Sequence, residues 1–143
     1  MAVRFFSDGV FFQLESKRKI SQWLKQVAAK EGKKIGNLCY IFVSDEHLLE
    51  FNKKYLQHDH YTDIITFDDS TGNNISGDMY ISVDTVRSNA KVYHVDFYNE
   101  LLRVMVHGVL HLCGYRDKTK DEQQEMRAAE AQYLFCLPQS LNF

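Results

Sequence analysis

The segment from Glu100 to Cys113 constrains this chain more than any other. Leu101, Leu102, Val104, Met105, Val106, Val109, Leu110 and Leu112 surround it with apolar side chains on nearly every side. A helix that is apolar all round belongs in the middle of a fold. One stripe breaks the pattern: Glu100, Arg103, His107 and His111 recur at helical spacing. Burying such groups without partners would be costly. The expectation is a central buried helix with one chemically active seam.

His107 and His111 stand one helical turn apart on one face, so both imidazoles can reach one ion. Gly114 follows, suited to the left-handed conformation that ends a helix, and Asp117 comes shortly after. Two imidazoles and one carboxylate, with a fourth position open to water, form a catalytic zinc arrangement. The competing readings are two hydrogen-bonded core histidines and an Asp117 that merely sits in a turn. The spacing and the downstream acid together favour metal ligation. In H-E-x-x-H peptidases the residue after the first histidine is the glutamate base, but here it is Gly108. A peptidase of that type is therefore disfavoured, and any base must come from elsewhere. Cys113, two places after His111, is aimed at a different helix face and is not counted as a ligand.

The rest of the chain reads as alternating elements. Val3 to Phe6 suits a short strand, and Glu15 to Glu31 an amphipathic helix carrying Ile20, Trp23, Leu24, Val27 and Ala28. Asn37 to Ser44 is a strand, and Ser44 caps a helix over Asp45 to Tyr55. Asp63 to Asp68 and Gly77 to Val83 are strands separated by a polar turn from Ser70 to Ser76. Asp84 to Tyr93, the long histidine helix, and Lys120 to Phe135 are helices, and Pro138 marks the start of a tail. The predicted architecture is α+β, one compact domain over residues 1–143. A small mixed four-stranded sheet packs with about five helices, and the metal site lies at the C-terminal end of the central helix.

With 143 residues, 45% of them hydrophobic and 25% charged, the chain can bury a real core. No apolar run approaches the ~20 residues that span a bilayer. The first ten residues carry Asp8 and no long apolar stretch, unlike a signal peptide. Three cysteines with no C-x-x-C pair suggest reduced thiols and a cytoplasmic protein. A net charge of −2 means that any nucleic-acid contact rests on local patches. Lys17-Arg18-Lys19, Lys33-Lys34 and Lys53-Lys54 are the candidates, although each also reads as an ordinary solvated face.

His-Gly-x-Leu-His-Leu-x-Gly-Tyr, running from His107 to Tyr115, resembles the signature of the YbeY family of bacterial single-strand-specific endoribonucleases. Phe51-Asn52-Lys53-Lys54-Tyr55, Asp59, and Thr62-Asp63-Ile64-Ile65-Thr66-Phe67 are similar to that family's middle segment. Gly77-Asp78-Met79-Tyr80-Ile81 resembles its Gly-Asp-Ile strand, and Glu125 to Glu130 its Met-x-x-x-Glu helix. The resemblance implies a single-strand-specific, metal-dependent endoribonuclease acting in ribosomal RNA maturation, at the 3′ end of the small-subunit rRNA, and in ribosome quality control. Its partners would be RNA, the ribosome, and ribosomal proteins or GTPases.

On that reading His107, His111 and Asp117 are at once metal ligands and catalytic residues, acting through the water that the ion binds. One zinc per chain is expected, with manganese or iron tolerated because Asp117 is a harder ligand. Asp59, Asp63 and Asp78 are candidate supporting or base groups. Lys53, Lys54 and Arg116 are candidate RNA contacts. Three departures stand out: Asp117 replaces the family's usual histidine, Leu56 its usual arginine, and Tyr61 its proline. The alternatives are a ribosome-assembly factor with a structural metal and, less favoured, a zinc hydrolase of another class.

Overall fold

Hydrophobic alternation and helical periodicity sort the described residues into nine elements. A computed structural model describes residues 2–55 and 62–138. The strands are β1 (Ala2–Ser7), β2 (Lys34–Val43), β3 (Ile64–Asp68) and β4 (Asn74–Ser82). The helices are α1 (Lys17–Lys30), α2 (Asp45–Tyr55), α3 (Val83–Tyr93), α4 (Phe97–Leu112) and α5 (Lys120–Phe135). The sheet order is β1-β2-β4-β3. β1 and β4 run parallel to β2, and β3 runs antiparallel to β4. This is the expected mixed four-stranded sheet with five helices.

Several boundaries shift by one to three residues from the sequence reading, and two strand starts have a shared cause. β2 begins at Lys34 and β4 at Asn74, each three residues earlier than periodicity suggests, because Lys34 pairs with Asn74 and Ile35 with Ile75. Parallel pairing across the sheet recruits residues whose local composition reads as a turn.

Period-two alternation gives the sheet two different faces. Tyr40, Phe42, Met79 and Ile81 point into the main core with α1, α3, α4 and α5, while Ile41, Val43, Ile65 and Tyr80 point the other way against α2. α2 is held there by Leu48 and by Phe51, whose ring lies 4.6 Å from that of Tyr80.

α4 is the axle of the main core. Leu101, Leu102, Val104, Met105, Val106, Val109 and Leu110 are all essentially inaccessible. Gly108 faces the sheet so closely that a Cβ there would lie 2.3 Å from Met79 Sδ and 3.1 Å from Ile64 Cδ1. The absent peptidase glutamate therefore has a packing cause: this position points at the sheet, away from the histidine seam. α5 is clamped over α4 by its buried stripe of Met126, Ala129, Glu130 and Tyr133. Trp23 Nε1 donates to Tyr133 O at 3.0 Å, and the Tyr133 hydroxyl donates to Glu31. No helix among the described residues is long and apolar enough to cross a membrane.

Candidate active site on the histidine helix

The polar stripe of α4 is satisfied from two directions. Arg103 grips Glu100 with a two-pronged bond, Nε to Oε1 and Nη2 to Oε2, both 2.8 Å. Its Nη1 donates to Glu130 Oε1 at 3.0 Å, and its Nη2 lies 3.7 Å from Asp63 Oδ2. Glu100 and Glu130 are 1% and 3% exposed, so these pairs carry buried charge. The bonds to Glu100 raise the pKa of Arg103 further and keep the guanidinium charged. Burial pushes the Glu130 carboxyl up, but the hydrogen bond with His107 and the charge and hydrogen bond of Arg103 outweigh it, leaving the net pKa below the ordinary value. Asp63 moves the opposite way: burial raises it more than Arg103 and His107 lower it.

His107 is oriented by this network. Its Nδ1 sits 2.7 Å from Glu130 Oε2. An ionised carboxylate only accepts, so the shared proton belongs to Nδ1, and the neutral ring keeps its lone pair on Nε2. That nitrogen faces Asp117 Oδ2 at 3.4 Å. A carboxylate behind a histidine that presents its other nitrogen outward is the arrangement that orients metal-binding imidazoles.

Asp117 reaches His107 because α4 ends abruptly. Gly114 adopts φ 109°, and Tyr115 N donates to Leu110 O at 3.0 Å, reversing the chain. α5 then starts with a capping box. Thr119 Oγ1 accepts from Glu122 N at 3.1 Å, and Glu122 Oε1 accepts from Thr119 N at 3.0 Å. Gln123 Nε2 donates to Asp117 O at 3.1 Å, tying the acid's backbone to the same helix.

The predicted residues are distributed as follows. His107 and Asp117 are brought together; His111 lies one turn further along α4 and is exposed. Among the described residues no three His, Cys, Asp or Glu side chains are grouped closely enough to hold an ion. Asp63 joins the site through Arg103. Asp78 does not, which corrects its assignment as a supporting or base group. Met79 points at α4, so Asp78 points to the opposite face, exposed and beside Cys39, whose thiol is raised first by burial and then by the Asp78 charge. Lys53 and Lys54 lie exposed in the last turn of α2, across the sheet from α4. Arg116 is exposed in the turn before Asp117. Asp59, Leu56 and Tyr61 lie outside the described residues. Cys113 is half-buried, its thiol pushed up to about 11, chiefly by burial and then by Glu31.

Three participants were missed as site residues. Glu130 and Arg103 supply the orienting network. Arg127 is an exposed cation lining a hollow of about 270 Å³ with His107, Asp117, Gln123 and Glu130. Glu130 carried a legible signal: it occupies an otherwise apolar stripe of α5.

A family model described as Endoribonuclease YbeY matches residues 8–137. The Parabacteroides distasonis protein named Endoribonuclease YbeY is 49% identical over 139 residues, 97% of this chain and 98% of its own length. Its namesake in Bacteroides thetaiotaomicron is 50% identical over 130 residues, 91% of this chain and 95% of its own. A Thermotoga maritima protein solved in solution superposes with a TM-score of 0.65 at 26% identity, covering 93% of this chain and 87% of that one. With most of its length matched by that family's model and by relatives near half identity, the chain belongs to the YbeY endoribonuclease family.

Proposed function

We propose that this chain is a metal-dependent endoribonuclease that cuts single-stranded RNA during ribosomal RNA maturation. Family membership supports RNA hydrolysis, and one structural observation carries the site: His107, held from behind by Glu130, presents Nε2 to the carboxylate of Asp117. Two lone-pair donors facing each other at 3.4 Å are suited to sharing a divalent cation. The donors that would hold it are His107, His111 and Asp117, and zinc is the ion their chemistry favours, with manganese or iron accommodated by the carboxylate. Such an ion supplies Lewis acidity toward a phosphate oxygen and a more acidic water.

The chain's own residues do the rest. Glu130 fixes the His107 tautomer, and Arg103 keeps Glu130 ionised. Arg127 lines the same hollow and is placed to grip a phosphate, a role the family's usual arginine would serve where this chain has Leu56. Arg116 is a further exposed cation in the turn before Asp117, and Lys53-Lys54 would contact RNA only further out. Ribosomal particles, ribosomal proteins or a GTPase as partners, a part in ribosome quality control, and a cytoplasmic setting belong to this same reading.

The test is cleavage of labelled single-stranded and duplex RNA by the parent protein, with His111→Ala purified identically as the control. The expected result is internal cutting of the single strand by the parent alone, accompanied by a transition metal on elemental analysis. Equal cleavage by both proteins would assign the activity to a contaminant and overturn the proposal.

A further inference from the structure

A larger hollow, about 590 Å³, lies away from the histidine site, between β1 and the loop that follows it. Phe5, Phe6, Phe11, Phe12, Phe42 and Lys17 line it. At Phe5, Phe6 and Lys17 it adjoins a second hollow that adds Arg4 and Arg18. Two of these rings stand bare: Phe6 is 51% exposed and Phe11 112%. Leaving a phenylalanine in water forgoes about 1.5–3 kcal/mol of burial. A slack loop does not explain it. Asp8 N donates to Phe42 O at 2.9 Å, and the Ser7 hydroxyl donates to Phe12 O. Phe12 packs edge-on against Phe42 at 4.9 Å and Phe97 at 5.7 Å, and Leu14 is buried. The loop is pinned on both sides of Phe11, so the ring is presented.

The charge beside these rings is one-sided. Lys17, Arg18 and Lys19 are exposed at the start of α1, whose first turn holds no acid, although helix starts ordinarily favour acids. With Arg4 they outnumber Asp8 and Glu15, the acids of the same stretch, and Asp78, which stands across β2 from Arg4. Bare aromatic rings beside excess cations suit single-stranded RNA, whose bases stack on rings whatever the sequence and whose phosphates follow the cations. A neutral strand added to the β1 edge would use neither feature.

The placement also fits. β1, β2 and β4 end where β3 begins, since Ile64 pairs with Ile81 and Ser82 N donates to Asp63 O at 2.9 Å. The aromatic trough and Asp63 thus lie at the same end of the sheet, on opposite edges. Three strand spacings separate them, roughly 14 Å. Phe97, against Phe12, stands ten residues before His107 on α4, about 15 Å along its axis. Several nucleotides of extended chain cover that span.

We propose that the trough formed by Phe6, Phe11, Arg4, Lys17 and Arg18 is an auxiliary site that holds single-stranded RNA several nucleotides from the bond being cut. It rests on the ribonuclease reading and adds a second point of contact. The test compares parent and Phe11→Ala by fluorescence anisotropy, using 5- and 20-nucleotide single strands in chelating buffer, beside metal-loaded cleavage of both lengths. The expected result is about a tenfold loss of affinity for the long strand, the scale of one lost base-stacking ring, with short-strand binding and cleavage unchanged. Lys17→Gln with Arg18→Gln should lower the salt slope of long-strand binding by about 1.4, near 0.7 per released phosphate contact. Circular dichroism verifies that both variants fold. Unchanged long-strand affinity and salt slope would overturn the proposal, and it would be overturned in favour of a protein partner if these variants instead lost only association with ribosomal particles. A parent that cuts RNA while Phe11→Ala binds normally sinks the trough alone. A parent that cuts no RNA sinks the active-site reading, and the binding comparison still decides the trough.

Discussion

The two flanks of His107 are built on opposite principles. Behind Nδ1, Glu130 and Glu100 are almost fully buried and Arg103 bonds both. In front of Nε2, the Asp117 side chain is 44% exposed, and His111, Arg116 and Arg127 are exposed as well. The rear flank is rigid because each buried charge has a matched partner and would be costly alone. The front flank is open, which leaves room for a substrate to reach Nε2 under the proposed function. The difference teaches that the residues that orient His107 are separate from those left open to solvent, so each set can be damaged without the other.

The comparison predicts a graded series of effects. Arg103→Ala strips the buried carboxylates of their partner and should destabilise the fold by about 3–5 kcal/mol. Urea denaturation measures this, and a loss under about 1 kcal/mol, the scale of an exposed ion pair, would break the contrast between the flanks.

Glu130→Gln keeps the shape but weakens the acceptor behind His107, so metal affinity should fall about 10–100-fold, as for other partners that orient a ligating histidine. Competition with a chromogenic chelator reads this directly. The same variant tests a pH effect. Because the folded-state pKa of Glu130 lies below its ordinary value, its contribution to stability is complete above the usual glutamate pKa of ~4.3. It is lost as pH falls through the lowered value. Stability of the parent should therefore drop more steeply on the acid side than that of Glu130→Gln; parallel acid limbs would contradict the assigned partnership.

Gly108→Ala probes the third side of α4, where the new methyl meets Met79 Sδ. Overpacking of this kind costs about 1–3 kcal/mol, and a neutral thermal shift would show that the helix can lift off the sheet. The smallest stability change belongs to the open flank. Asp117→Ala should alter unfolding by no more than about 0.5 kcal/mol while weakening metal binding and cleavage. Asp117→His should retain the metal. If Asp117→Ala binds metal as tightly as the parent, Asp117 is a turn residue and the front flank needs another ligand.

Much of this was legible in the residues. The apolar surround of α4 announced a central helix, and the histidine spacing, Gly114 and Asp117 marked out the candidate site, in which the fold brings His107 and Asp117 together, because these are local signals within one helix and one turn. The partnership of His107 with Glu130 spans 23 residues and two helices, and no local pattern pairs them. Asp78 was misassigned for the converse reason. It sits among family-like residues, but strand alternation sends it to the face that Met79 does not occupy. The early start of β4 at Asn74 was hidden because its partner, Lys34, comes from a distant strand.

The order of elements along the chain has a consequence for timing. Both histidines belong to α4, but the carboxylate that sets the His107 proton belongs to α5. During synthesis the imidazoles emerge before the acceptor that sets the His107 tautomer, when Arg103 has only Glu100 and Asp63 as partners. A nascent or prematurely terminated product ending before Glu130 would hold both histidines in a helix whose buried charges are half matched. The His107–Glu130–Arg103 network is thus completed only after both histidines have been made, so His107 acquires its orienting acid only once α5 has docked.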